Sequence, residues 1–291
     1  MSSENDTSSD SATSSDDDLS TTGTPELPPI LADINVPQTV VDEVGAIFRV
    51  FKDVNDSEAP VTWANGQCLR KRELDRLLAQ GGRAAWLNDN IIDMFRQLVN
   101  AHSSETKSWV FSPHLFPLVQ RDLKFGNDSS TARWIIKDLQ KGGLIPLEGL
   151  ENKFRFMLFP LRLKTVEHWV LGVIDVEQAQ AFVVNPFHTE KADNEDAKLV
   201  KDLVHFMKGI KKPLSLQLWM HFSFPEENAY PLTQQMDGYN CGIYVCLYIL
   251  HFVFDEFVEP PVDPAQMRVW IVYWLLKSAL PDDALLQAFR K

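Results

Sequence analysis

From Pro37 onward, apolar residues recur at helical spacing: Val40, Val44, Ile47, Phe48 and Phe51 share one face and predict a helix. A short charged helix follows over Lys71–Leu78. Ile91, Ile92, Phe95, Leu98 and Val99 again mark one helical face, with Asn88 or Asp89 as the N-cap. Trp134–Leu139 reads as a further short helix. The period then changes. Phe154–Leu161, His168–Val176 and Ala181–Val184 are short runs rich in Val, Ile and Phe, the pattern of a sheet. Glu190–Lys208 reads as a charged helix and Leu214–Phe222 alternates as a strand. The polar stretch from Gln234 to Asn240 contains a turn glycine and runs into Cys241–Leu250, apolar nearly all round and so a buried helix. Ala265–Leu280 and Asp282–Phe289 complete a last helix pair. A sheet in the middle with helices outside makes the fold class α+β.

Residues 1–37 follow neither period. This Ser/Thr/Asp tract has no aromatic residue and ends among Pro25, Pro28, Pro29 and Pro37. Too little apolar surface is present to offset the entropy of ordering, so it reads as a disordered acidic tail, with residues 38–291 forming one domain. The tail is either a phosphorylatable regulatory segment or a solvating extension. It also carries much of the charge. Of 291 residues, 40 are acidic and 28 basic, a net charge of −12. Residues 1–30 hold seven of the acids and no Lys or Arg. A chain of this balance lacks the clustered cations that a broad nucleic-acid surface requires. No stretch approaches the roughly 20 apolar residues of a membrane span, and the N-terminus lacks the pattern of a signal peptide. Three cysteines with no CxxC pair argue against a zinc site or disulfide framework, and free thiols suit a reducing compartment. The expectation is an intracellular, soluble protein.

Within that frame Cys241 is the most informative position. It opens a buried helix, where unpaired N–H groups and the helix dipole favour an anion, and the thiolate is the nucleophilic form of cysteine. The competing reading is an ordinary buried cysteine, which is how Cys246 reads, a turn and a half further in. A nucleophile needs a base. His168, at the start of a predicted strand beside Trp169, is the candidate; alone it would pass for a strand-end residue. Asn185 ends a neighbouring strand, where its amide oxygen could accept the imidazole N–H and fix the tautomer, or it is simply part of an Asn-Pro turn. Gln235, six residues before Cys241, could turn its amide N–H₂ toward the space faced by the Cys241 backbone N–H, forming an oxyanion hole.

Together these residues resemble the ubiquitin-like-protein-specific cysteine proteases, the deSUMOylating and deneddylating enzymes. The stretches that carry the resemblance are Trp86-Leu87-Asn88-Asp89-Asn90-Ile91-Ile92, Phe156-Met157-Leu158-Phe159-Pro160, His168-Trp169-Val170-Leu171-Gly172-Val173-Ile174-Asp175 and Gln234-Gln235-Met236-Asp237-Gly238-Tyr239-Asn240-Cys241-Gly242. They stand in the family's order, over residues 60–285. The resemblance implies a papain-like fold, a central mixed sheet flanked by helices with the nucleophile at the start of a buried helix. It assigns Cys241 as nucleophile, His168 as general base and Gln235 as oxyanion donor, with Asn185 where most of the family has Asp. Asn240 and Asp237 depart from the pattern in a matching way, standing where Asp and Asn are usual. Trp86 and Trp169 match the two tryptophans between which the family threads a Gly-Gly tail. Asp89 matches a position that contacts a basic residue of the modifier, or else it caps the following helix.

The implied function is a thiol isopeptidase that cleaves after the Gly-Gly of a ubiquitin-like modifier, SUMO first and the neddylation modifier next. It needs no cofactor or metal, and acts as a monomer in the nucleus or cytoplasm. Two other readings stand beside it. One, motivated by Asn185 and Asn240, is a catalytically impaired protein that only binds modifiers. The other is a protease of a mobile element or pathogen acting on ubiquitin or a polyprotein.

Overall fold

In a computed structural model of the chain, the described residues are 36–64, 67–102, 108–125, 137–139, 154–163, 167–178, 180–187, 198–199, 201–202, 232, 234–254 and 263–278. The expected helix Glu190–Lys208 lies largely outside them; of Trp134–Leu139 residues 137–139 are described and are helical; the expected strand Leu214–Phe222, the helix Asp282–Phe289 and residues 1–35 lie wholly outside.

Helix α1 (Gln38–Phe51) leads to a hairpin of β1 (Pro60–Ala64) and β2 (Gln67–Arg70), then α2 (Lys71–Leu78) and α3 (Asp89–His102). Strand β3 (Ser108–Val110) and helix α4 (Leu115–Phe125) precede three strands, β4 (Phe156–Leu163), β5 (His168–Asp175) and β6 (Gln180–Val184). Helices α5 (Cys241–Phe254) and α6 (Pro264–Lys277) close the described fold. The larger sheet has the order β3-β4-β5-β6. Strand β3 runs parallel to β4, and the other two pairings are antiparallel, so the sheet is mixed. The fold is α+β with helices flanking a mixed sheet, as the sequence predicts. The hairpin of β1 and β2, β3 and α4 are additions that the hydrophobic pattern did not reveal.

Helix α5 occupies the centre because its sequence has no polar face. Every residue from Cys241 to Leu250 is buried, and such a helix is stable only when covered on all sides. It lies against β5, β4 and β3 on one side and α3 and α6 on the other. Strands β4 and β5 are correspondingly apolar on both faces, with Arg162 and His168 their only residues that are not buried. Helix α6 starts sharply: Asp263 accepts the Ala265 N–H at 2.9 Å and Pro264 fills the first turn. It ends at Lys277 rather than Leu280, with Ser278 in the left-handed conformation. Among the described residues no helix is long and apolar enough to cross a membrane.

Candidate active site

The loop before α5 is built around one carboxylate. Asp237 Oδ1 accepts the backbone N–H groups of Tyr239 and Asn240, both at 2.9 Å, and its Oδ2 accepts Asn240 Nδ2 at 2.8 Å. An Asp in this position folds the turn on its own side chain. The Asn240 carbonyl then takes the first helical bonds, from Ile243 at 2.8 Å and Tyr244 at 3.1 Å. Cys241 is therefore the first residue of α5, at its positive end. Its neighbour Gly242 has no room for a side chain: a Cβ there would lie 2.9 Å from the Cβ of Leu87. Glycine lets the first turn of α5 close against the segment entering α3.

Cys241 is 5% exposed. Burial pushes its thiol above the ordinary 9.0, the N–H groups of Trp169, Gly242 and Cys241 itself pull it down, and the charge of Asp237 pushes it up again. The net direction is upward, so the resting group is the thiol. The contact from the Trp169 amide locates the sulfur: it faces the start of β5, where His168 is the adjacent residue.

His168 opens β5 opposite Leu163 of β4. Its Nε2 lies 2.8 Å from Asn185 Oδ1. The identity of that amide oxygen is fixed independently, because Oδ1 also accepts the Phe187 N–H at 2.9 Å. Nε2 must then carry the proton, leaving Nδ1 as the basic nitrogen. Asn185 is 2% exposed, immediately after β6. Burial lowers the His168 pKa below the ordinary 6.5, and the bond to Asn185 opposes this without cancelling it. A neutral imidazole and a neutral thiol at the junction of a strand and a helix terminus are equipped for proton transfer from sulfur to nitrogen during attack.

Gln235 is tied to the same region by its backbone, whose N–H donates to the Pro186 carbonyl at 2.8 Å. Its side chain is turned differently from the expectation. Nε2 donates to the Asp237 carbonyl and, at 3.2 Å, to Asp237 Oδ1, while among the described residues the buried Oε1 has no partner. An Asp at 237 draws the amide toward itself, so the N–H₂ reaches an oxyanion only after rotating away from Asp237.

The two tryptophans meet the same short segment. Trp169 is 2% exposed, and its Nε1 donates to the Leu87 carbonyl at 2.9 Å. Trp86, half-buried, donates from Nε1 to the Gly238 carbonyl at 3.2 Å, with the Arg83 guanidinium 5.8 Å from its ring centre. Thus Trp86 is latched to the loop before α5, and Trp169 to the residue after Trp86. The cap of α3 is Asn88, whose Oδ1 accepts the Ile91 N–H at 3.1 Å. Asp89 is left on the surface, 3.4 Å from Arg162 Nη1 and 3.9 Å from His114 Nδ1.

Three supporting residues escaped the sequence reading. Glu73, fully buried on α2, accepts Asn88 Nδ2 at 2.9 Å and Arg72 Nε at 2.8 Å. Arg162 is the exposed residue of β4 beside Trp169. Arg268 lies under Asn240. A lone cation within the apolar run of α6 was the available signal for the last. Among the described residues no group of three or more His, Cys, Asp or Glu side chains is placed to hold a metal ion.

A cysteine at the start of a central helix, facing a strand whose histidine is oriented by a carboxamide, defines a cysteine protease domain of papain-like architecture. The chain belongs to the Ulp1 protease family: residues 85–262 match the family's C-terminal catalytic domain. It is 25% identical over 197 residues to ubiquitin-like-specific protease 1 of Saccharomyces cerevisiae, covering 67% of this chain and 28% of that protein. Ubiquitin-like-specific protease ESD4 of Arabidopsis thaliana is 22% identical over 216 residues, 72% of this chain and 40% of that one. The chain thus spans less than half the length of either relative. Among solved structures, the SUMO protease Ulp1 with its catalytic cysteine oxidised to a sulfenic acid superposes with a TM-score of 0.62 at 20% identity, over 85% of this chain and 98% of that one. The Ulp1 protease domain in complex with Smt3, the yeast orthologue of SUMO, gives 0.60 at 20% identity, over 84% and 97%. The catalytic domain of the Ulp1-like SUMO protease of Chaetomium thermophilum gives 0.57 at 19%, over 87% and 94%.

Proposed function

We propose that the chain is a thiol isopeptidase that removes SUMO from lysine side chains and matures SUMO precursors by cutting after Gly-Gly, with the neddylation modifier as the next candidate. The observation that carries the reading is the convergence on Cys241: its sulfur faces the Trp169 N–H at the start of β5, and His168, the residue before, is held by Asn185 through Nε2, leaving Nδ1 as the basic nitrogen. Cys241 Sγ attacks the carbonyl carbon of the terminal glycine while His168 Nδ1 takes its proton. The oxyanion is held by the Cys241 N–H, joined by Gln235 Nε2 once it leaves Asp237. Collapse breaks the C–N bond, and His168 returns the proton to the departing lysine amine. His168 then deprotonates a water that attacks the thioester, releasing the modifier carboxylate and the thiol. Trp86 and Trp169 line the path of the Gly-Gly tail, and Asp89 offers a carboxylate to a basic residue of the modifier.

SUMO is favoured because the similar solved structures are SUMO proteases, one of them bound to a SUMO orthologue. Cys68, Cys241 and Cys246 are all free thiols, consistent with the nucleus or cytoplasm. The test uses SUMO, the neddylation modifier and ubiquitin, each ending in a thiol-reactive group after Gly-Gly. The expected result is a covalent adduct with SUMO in the wild type and none in Cys241→Ala. An adduct that persists in the variant, or none with any of the modifiers from folded protein, would overturn the assignment.

A further inference from the structure

Arg268 is 2% exposed, in the middle of α6. Its guanidinium makes four hydrogen bonds: Nη1 to the Arg76 carbonyl at 3.0 Å, Nη2 to the Ala85 carbonyl at 2.7 Å, and Nε and Nη2 to Asn240 Oδ1 at 2.9 and 2.7 Å. All four end on neutral oxygens, and among the described residues no carboxylate touches it. A buried cation without a contact counter-ion is costly, and an apolar side chain of similar volume would usually serve packing better. Packing therefore does not account for this guanidinium.

What it touches is informative. Asn240 immediately precedes Cys241, and its amide is engaged at both ends, Oδ1 by Arg268 and Nδ2 by Asp237 at 2.8 Å. Asp237 in turn holds Gln235 Nε2 and the Tyr239 and Asn240 N–H groups. One chain of contacts thus runs from α6 through Asn240 to every part of the nucleophile loop. The two sequence departures here are one exchange. The carboxylate stands at 237 and the amide at 240, so the negative charge is one side chain removed from Arg268 and does not adjoin Cys241.

We propose that Arg268 is a positioning residue for Cys241, gripping the Asn240 amide to fix the start of α5 and holding behind the sulfur a positive charge whose counter-ion, Asp237, is reached only through that amide. The proposal rests on the reading of Cys241 as the nucleophile. The charged and titratable groups facing Arg268 are Asp237 and Tyr239 from the loop and Cys241 and Cys246 from α5. Those bearing on the Cys241 thiol are Asp237 and Arg268, and His168 precedes Trp169, whose N–H the sulfur faces. Burial lowers the Arg268 pKa to about 10, so the cation persists at neutral pH. Its field favours the thiolate, while the charge of Asp237 opposes it and adds to the upward push that burial gives the Cys241 thiol.

The test reads the thiol itself, without any modifier: the rate of Cys241 alkylation by iodoacetamide across pH 5–10, followed by peptide mass on the full chain, with the melting temperature recorded beside it. The double exchange Asp237→Asn with Asn240→Asp keeps the net charge and the hydrogen-bond count but gives Arg268 a contact counter-ion next to Cys241. The expected result is an unchanged or raised melting temperature and an alkylation profile moved to higher pH, with the rate at pH 7.5 falling about tenfold, the equivalent of one pKa unit. Asp237→Asn alone is expected to move the profile to lower pH, and gives the answer if the double variant does not fold. Profiles that coincide with the wild type in folded variants would make Arg268 merely structural and overturn the proposal. Because modifier adducts are not the readout, this failure is distinguishable from failure of the isopeptidase reading.

Discussion

His168 holds a neutral partner where a carboxylate would have stabilised its charge. Asn185 Oδ1 orients the ring and fixes the tautomer, yet supplies no negative charge to the imidazolium that the proposed proton transfer from Cys241 would form. Burial adds to this, placing the His168 pKa below 6.5. The acid limb of the rate profile is accordingly expected below pH 6.5, where His168 becomes protonated and can no longer accept a proton. Asn185→Asp reverses the sign of the effect. A carboxylate 2.8 Å from Nε2 favours the charged ring and raises its pKa. The acid limb should move to higher pH, while cleavage of a SUMO conjugate at pH 7.5 speeds up by about tenfold as the imidazolium is stabilised. A limb that stays in place, or a slower variant, would mean that Asn185 is not what holds the histidine. A near-zero starting rate raised greatly by this one change would instead favour the modifier-binding reading.

At the scale of elements, the site depends on how closely α5 meets the segment entering α3. Leu87 links the two: its carbonyl holds the Trp169 indole and its side chain meets Gly242. Gly242→Ala would place a Cβ 2.9 Å from Leu87 Cβ and 3.1 Å from its Cγ, so Leu87 must move and take the Trp169 anchor with it. The expected cost is about 1–3 kcal/mol of stability from overpacking, with weaker binding of SUMO, both read in a Cys241→Ala background by thermal melting and calorimetry. Gly238→Ala is the control, since nothing lies within 4 Å of the added atom; it should change stability by less than about 0.5 kcal/mol. A Gly242→Ala variant as stable and as tightly binding as its parent would show that Leu87 yields freely. These elements differ in how legible they were. Helices α1 and α3 follow from the period of their apolar residues, because each buries one continuous face, and α5 from a run that is apolar all round; α3 and α5 continue three and four residues past Val99 and Leu250, the last positions the pattern marks. Strand β3 has three residues, too few to show a period, and α4 carries Pro117 in its first turn, which reads as a break. The hairpin of β1 and β2 carries only a short local signal, the Asn65-Gly66 pair between its strands. The candidate site residues were legible where the proposed chemistry constrains type and order, as with His168 before Trp169 and Cys241 before Gly242. Glu73, Arg268 and the rotated amide of Gln235 were not, because their roles exist only through partners distant in sequence.

Across the whole molecule, two buried carboxylates join segments distant in sequence and a half-buried one folds the loop before α5, and this sets the response to acid. Glu73 ties α2 to the start of α3. Asp93 on α3 accepts Ser112 Oγ at 2.7 Å and Arg96 Nε at 2.7 Å, and it also holds Gln67. Asp237 organises the loop before α5. In each case burial pushes the carboxyl up, but hydrogen bonds and, for Glu73 and Asp93, a neighbouring Arg outweigh it, and the net shift is downward from 4.5 for Glu73 and from 3.8 for the two Asp residues. A depressed carboxyl stabilises the fold above its unfolded pKa, and that contribution is lost as pH falls through the folded value. His168, also depressed, acts in the same direction at a higher pH: its neutral form is favoured in the fold, so stability declines as pH drops below 6.5. Asp175, fully buried and raised above 3.8 by burial, opposes them, because its folded form prefers the proton. Three depressed carboxyls against one raised give the sign. The melting temperature is expected to fall gently below pH 6.5 and steeply below about pH 4.5. Asn185→Asp should remove the gentle step, because the histidine then welcomes its proton, while leaving the steep one. Thermal melts between pH 3 and 8 read both. A melting temperature that holds or rises on acidification through pH 4 would mean that these carboxylates do not hold the helical segments together.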